Sequence, residues 1–390
     1  MQQILGFLST FKYIGYILIA ILVLLFMVLI HELGHYIAGK ILKFKINEFS
    51  IGFGPKLFQR KNKSGELVSL RAFPLGGYCA FEGETEEQKD NPQAFSNQKP
   101  WKRLIVLFAG AFFNFLSGII FSFILLMASG YDLVQVKNVS TSSINYGVLQ
   151  KNDVVYGIDN KEINFVKDDY FSTLISDYLD ENHPKYQGDI TLEVNKFENE
   201  GKTYYLVSQP IKFNIKRDGE KITVDGYVNE IFNDKGECAG WTLTSTYEEN
   251  ADEFDVKTYK YTFWESLGEA IPFSFKWAWK VLVVFGQLIT GQLSITSVGG
   301  PVTTVKMIAN FTQENMLTLL LPVIAINLAV FNLLPIPALD GCQMVFVTIE
   351  WIRKKPINQK VVNWVNTIGL IALFGFVIII DILQFVLWFK

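Results

Sequence analysis

Histidine and cysteine are scarce in this chain, with three of each among 390 residues. The cysteines, Cys79, Cys238 and Cys342, are odd in number and scattered without metal-like spacing, which excludes a disulfide framework. No Ser/His or Cys/His arrangement for covalent catalysis is evident. A net charge of −3 gives no reason to expect nucleic acid as a partner. Charge itself is thin, at 19 % of residues, and it is missing from four long stretches.

Those stretches are Tyr13–Ile30, Leu104–Tyr131, Asn315–Leu339 and Val361–Ile380. Each is eighteen residues or longer, close to the ~20 that a helix needs to cross a bilayer. A large soluble α/β core does not require four of them. Half of all residues are hydrophobic and 33 are Phe, in keeping with membrane helices. The first stretch is too long for a cleavable signal peptide and lacks a small-residue cleavage site.

Residues 38–103 carry twelve Lys/Arg against seven Asp/Glu, whereas residues 131–268 carry fourteen against twenty-five. The run Glu350-Trp351-Ile352-Arg353-Lys354-Lys355 is again basic. Excess Lys and Arg mark the cytoplasmic side. The chain is therefore expected to start outside, cross inward, return outward, display an acidic domain, cross inward and end outside. Val281–Val305 is also uncharged, but it is broken by Gly286, Gly291, Gly299, Gly300 and Pro301. Trp264–Thr290 is read as an interfacial helix, with Lys276 and Lys280 at headgroup level, and Gly299-Gly300-Pro301 as a loop. The alternative is a fifth span.

Two of the three histidines stand in His31-Glu32-Leu33-Gly34-His35, at the end of the first apolar stretch. On a helix, residues i and i+4 share a face, so both imidazoles can address one metal ion, with Glu32 placed as a general base toward water. The plain alternative is a structural pair capping a membrane helix. A catalytic zinc ion usually takes three protein ligands. His183, flanked by Asp180, Glu181, Asn182 and Pro184, reads as a surface histidine on a solvated turn. Asp340 is the better candidate, because a carboxylate after twenty-five uncharged residues needs a partner. The topology puts it at the depth of His31 and His35. Helix capping at the interface is the competing reading. Pro335 and Pro337 should unwind the helix there, which membrane depth tolerates only beside a polar cavity.

His31-Glu32-Leu33-Gly34-His35 together with Asn327-Leu328 and Asn332-Leu333-Leu334-Pro335-Ile336-Pro337-Ala338-Leu339-Asp340-Gly341 resembles the site-2 protease family of intramembrane zinc metalloproteases, in its bacterial regulator-of-sigma-E protease branch. Ser50–Pro55, Pro74–Tyr78, Phe108–Asn114 and Val298–Val302 resemble further segments of that family, so the likeness spans nearly the whole chain. It implies Zn2+ held by His31, His35 and Asp340, with Glu32 as the catalytic base. It also implies that Asn327 and Asn332 hold the substrate backbone, although either could instead bond between helices. Ala111 stands where the family commonly has Pro, and Cys342 where it commonly has a second Gly.

Ile190–Val194 and Ile211–Ile215 alternate apolar and polar residues as half-buried strands do. Tyr146–Val155 followed by Ile158-Asp159-Asn160-Lys161 resembles the turn-and-strand core of a PDZ domain, with an insertion near 165–188. Such domains take peptide termini by strand addition. A passive β domain is the alternative. Glu66–Phe73 also alternates, and suggests a small membrane-associated sheet on the cytoplasmic side whose edge could pair with substrate.

The expected fold is a membrane α-helical protein with four transmembrane helices, a cytoplasmic-side β-hairpin or sheet and an extracytoplasmic PDZ-like domain. Its parts are 1–37, first helix; 38–103, cytoplasmic loop with sheet; 104–131, second helix; 132–260, PDZ-like domain; 261–314, interfacial helix and Gly-Gly-Pro loop; 315–345, third helix; and 361–390, fourth helix. The expected activity is zinc-dependent cleavage of single-span proteins within a bacterial cell membrane, with anti-sigma factors or remnant signal peptides as the substrates that the resemblance suggests. The rivals are a transporter or metal-dependent binding protein without hydrolysis, and a PDZ-type membrane scaffold.

Overall fold

A computed structural model of the chain describes residues 2–83, 91–141, 143–159, 161–162, 175–176, 178–179, 195–199, 202–243, 252–294, 299–313 and 317–388. The candidates His183, Ile190–Val194, Asn160, Val298 and Asn315, and most of the expected insertion, lie outside these residues. The described part divides into two units, one formed by residues 1–128 with 262–390 and the other by 129–261.

The first unit is built from apolar helices and one hairpin. Helix α1 (Gln2–Ile41) runs four residues past the expected end at 37 and stops where Lys43 turns to a left-handed backbone. Strands β1 (Ile46–Lys61) and β2 (Leu67–Phe81) pair antiparallel across a turn closed by Gly65 N–H to Asn62 O. Helix α2 (Pro100–Ala128) follows a short 3₁₀ turn at Phe95–Asn97. Phe44, Phe81 and Phe95 pack edge-on or tilted against one another where α1, the hairpin and α2 meet.

Helix α3 (Phe263–Ile289) opens on a capping box, with Thr262 accepting from Glu265 N–H while Glu265 reaches back. It covers the stretch read as an interfacial helix. Gly299 and Gly300 are non-helical, as the expected loop requires, but Pro301 already starts helix α4 (Pro301–Gln313), which was not expected. Proline is favourable at a first helical position, where its missing N–H has no partner to lose. The expected single third span over 315–345 is two helices, α5 (Leu317–Leu333) and α6 (Asp340–Arg353), with a non-helical joint at Leu334–Leu339 that contains both prolines. Helix α7 (Gln359–Trp388) ends the described chain. Residues 12–41, 100–128 and 359–384 form helices long and apolar enough to cross a membrane, while α5 has 17 residues. Met27 and Ala20 of α1 pack on Ile308 of α4 and on Leu320 and Ile324 of α5.

The second unit is a sheet of eight strands. They are β3 (Tyr131–Val139), β4 (Val154–Ile158), β5 (Lys161–Glu162), β6 (Asn195–Asn199), β7 (Lys202–Arg217), β8 (Glu220–Phe232), β9 (Cys238–Thr242) and β10 (Asp252–Tyr259). The order is β10-β3-β4-β7-β8-β9, with β5 on β4 and β6 on β7. Every pairing between strands is antiparallel. Its core is Val136, Val155, Ile158, Ile211, Phe213, Ile215 and Val228, and Ile211–Ile215 lie inside a strand as their alternation predicts.

Candidate metal centre

Helix α1 keeps His31 and His35 one turn apart on the face that meets α2. Their rings lie edge to face at 4.7 Å between centroids, with Nε2 atoms 3.1 Å apart. Asp340 is the first residue of α6, in the turn where the positive end of the helix favours a carboxylate. Its Oδ2 is 2.9 Å from His31 Nε2 and 3.3 Å from His35 Nε2. The joint ahead of α6 makes this possible. Leu334 N–H bonds to Phe331 O, Ile336 N–H to Leu334 O and Leu339 N–H to Ile336 O, folding the chain back on the end of α5. Gly341 seals the fold, because a Cβ there would stand 2.3 Å from Leu334 O.

Two imidazole nitrogens and a carboxylate oxygen thus converge in one spot. Asp340 Oδ2 is buried without a hydrogen bond of good geometry. Three electron-rich atoms repel one another unless a cation or protons lie between them. Four-coordinate zinc with bonds near 2.0–2.1 Å keeps its ligand atoms roughly 3.3 Å apart, which matches the observed triangle. Among the described residues, His31, His35 and Asp340 are the group of ligand types able to hold such an ion.

Glu32 lies beside this triangle and outside it. The backbone N–H of Cys79, near the end of β2, donates to its carboxylate. The hairpin therefore fixes a side chain of α1. The hairpin is itself tied to α1 by Lys40 Nζ and Tyr36 OH, which reach the Glu66 carboxylate at 2.6 and 3.0 Å. Farther along, Glu48 is held by Arg71 at 2.9 Å and Tyr78 OH at 2.9 Å. Burial raises the Glu48 carboxyl, but hydrogen bonds from Ser69, Tyr78 and Arg71 outweigh it and leave the group below its ordinary value.

A cavity of about 420 Å³ opens over the triangle, lined by Glu32, Tyr78, Asn114, Leu328, Asn332 and Leu339 among others. Asn332 is brought to the centre, with its Nδ2 3.4 Å from His31 Nδ1. Asn327 is not among the residues lining the cavity, and its Oδ1 is buried without a partner. Cys342 is buried next to the centre but is not one of the clustered ligands.

Sequence reasoning marked Phe108–Asn114 as a family-like segment but gave no residue of α2 a role at the centre. Val106 O accepts from His35 Nδ1 at 2.8 Å, and Asn114 Nδ2 lies 3.3 Å from His31 Nδ1. Gly110 stands between them, where a Cβ would meet His35 Nε2 at 2.4 Å and His31 Cε1 at 2.7 Å. Residues 106, 110 and 114 form one stripe at helical spacing. The available signal was a lone carboxamide and a glycine four residues apart inside an uncharged run.

A family model described as Peptidase family M50 matches residues 19–376. Curated relatives include proteins called "putative zinc metalloprotease" from Clostridium perfringens, Fusobacterium nucleatum and Clostridium acetobutylicum. They are 28 %, 29 % and 30 % identical over 371, 376 and 376 residues. Each alignment covers 94 % of this chain, and 97 %, 97 % and 96 % of the relatives.

Proposed function

The chain belongs to peptidase family M50, the site-2 protease family, and from that premise we propose that it cuts transmembrane segments of single-span proteins within the bilayer. It is a membrane zinc metalloprotease. The observation that carries the finer reading is the meeting of His31, His35 and Asp340 beside Glu32, at the ends of apolar elements distant in sequence.

In this reading His31, His35 and Asp340 hold the zinc ion. Bound zinc would supply a Lewis acid for the scissile carbonyl and for water. Glu32, steadied by Cys79 N–H, takes a proton from the attacking water and delivers one to the leaving amine. Asn332 orients the unwound substrate backbone from the cavity wall, offering donor and acceptor without charge, while Asn327 would act only indirectly, from the same helix. Exposed Phe53, Leu57, Phe58 and Phe73 seat the hairpin in the membrane surface, and its edge offers a strand partner to an opened substrate.

In this reading the four spans are α1, α2, the shorter apolar α5 leading into α6, and α7. The metal centre then lies near the cytoplasmic face of the cell membrane, and the sheet of residues 129–261 is an extracytoplasmic PDZ-like domain open to peptide termini. Anti-sigma factors and remnant signal peptides are substrates of the right form.

Glu32→Gln tests the chemistry. The variant is expected to keep stoichiometric zinc and to lose cleavage of a single-span substrate by at least about 10²-fold, the usual scale for a general base. Cleavage at the parent rate would exclude this mechanism. Asp340→Ala tests the ligand set, with zinc occupancy as the readout.

A further inference from the structure

A histidine that turns Nε2 to a cation through its lone pair carries its ring proton on Nδ1, and a buried proton there needs an acceptor. His35 has one in Val106 O. His31 Nδ1 faces two carboxamides, Asn114 Nδ2 at 3.3 Å and Asn332 Nδ2 at 3.4 Å. An N–H set against two NH₂ groups is a meeting of donors, so one amide must present its oxygen. Asn332 is half-buried in the cavity wall. Asn114 is fully buried, and its Oδ1 has no partner. Turning the Asn114 amide about its last bond exchanges oxygen and nitrogen, which are alike in shape, and gives the Nδ1 proton its acceptor.

We infer that Asn114 is a positioning residue whose Oδ1 accepts the Nδ1 proton of His31 and thereby fixes the tautomer that aims Nε2 at Asp340. The inference rests on the ligand set proposed above. It makes α2 the outer layer of the centre, with Val106 serving one histidine, Asn114 the other, and Gly110 leaving room for both rings. It also leaves the Asn332 amide available to the cavity.

The test uses the full chain purified in detergent. Zinc affinity is measured by competition with a chromophoric chelator, and the ligand field by the visible spectrum after cobalt substitution. Asn114→Leu keeps the volume and removes the acceptor. Zinc binding is expected to weaken about 10–100-fold, as for other outer partners of metal-bound histidines, with an altered cobalt spectrum. Asn114→Asp retains an acceptor and is expected to stay close to the parent, as is Asn332→Leu. Parent-like affinity and spectrum in Asn114→Leu would overturn the inference. So would an Asn114→Asp variant as weak as Asn114→Leu, or zinc loss confined to Asn332→Leu.

Should neither variant at 114 fold, the zinc-loaded parent decides. Its His31 Nδ1 proton is expected to exchange slowly with solvent in ¹⁵N-detected NMR, and rapid exchange would overturn the inference. Zinc bound equally by parent and Asn114→Leu refutes this inference alone. A parent that takes up no zinc refutes the ligand set beneath it as well.

Discussion

Gly110 shows how a residue with no side chain can set the chemistry. Its Cα faces both imidazoles so closely that a methyl group would lie 2.4 Å from His35 Nε2. Helix α2 or the two rings would have to move by most of an ångström, and either movement breaks the triangle of ligand atoms. Gly110→Ala is therefore expected to purify with far less than one zinc per chain, measured by elemental analysis, with both histidines intact. At this scale the sequence was legible where chemistry needs a rare residue. His31, Glu32 and His35 form a motif by spacing alone, and Asp340 announced itself as a lone carboxylate after a long uncharged run. Gly110, the Asn114 contact and the Cys79 N–H were not legible, because their roles come from what another helix or strand places opposite them.

Among the elements, α6 has two duties. It starts with Asp340, and ten residues on Glu350 bonds to Arg103 at the start of α2, 2.6 Å away and largely buried. Glu350 also accepts from Ile357 N–H beyond the helix end. Removing the carboxylate leaves a guanidinium without its partner, which costs about 1.5–3 kcal/mol for a charged hydrogen bond. Glu350→Ala should lower the Tm in detergent and speed zinc loss to a chelator, while Glu350→Asp recovers part of both. The hairpin carries a pH-dependent contribution of its own. The Glu48 carboxyl lies below its ordinary value in the folded state, so its stabilisation is complete above the unfolded-state pKa near 4.3. It is lost as pH falls through the lower folded value. Hydrogen exchange of β1 and β2 amides should be flat from pH 7 to 5 after correction for the intrinsic rate, then rise below about 4, and Glu48→Gln should remove that rise. The helices were legible as uncharged runs. The α5–α6 break was foreseen from Pro335 and Pro337, but not that a new helix would begin on Asp340, since N-cap Leu339 carries no capping side chain. Helix α4 was missed because its Gly-Gly-Pro entry reads as a turn while its Pro301 serves as a helix start.

For the molecule as a whole, the proposed orientation can be tested with the cysteines it already has. Cys238 is exposed in the acidic unit, whereas Cys342 is buried beside the metal centre and Cys79 lies in the hairpin. A membrane-impermeant thiol reagent added to intact cells is expected to label Cys238 alone, read by mass spectrometry. Labelling of Cys238 only after lysis would reverse the topology. The change in charge between 38–103 and 131–268 served to assign sides of the membrane, because excess Lys and Arg mark the cytoplasmic side. The strand order of the second unit was not legible, since short alternating segments carry no record of which neighbour they join. One consequence concerns the birth of the protein. Asp340 lies far along the chain from His31, so in the proposed ligand set a chain still being translated offers only two of the three ligands that a catalytic zinc ion usually takes. The blade is fitted last. A copy truncated before Asp340 is expected to lack the third ligand of the proposed set and to purify without zinc.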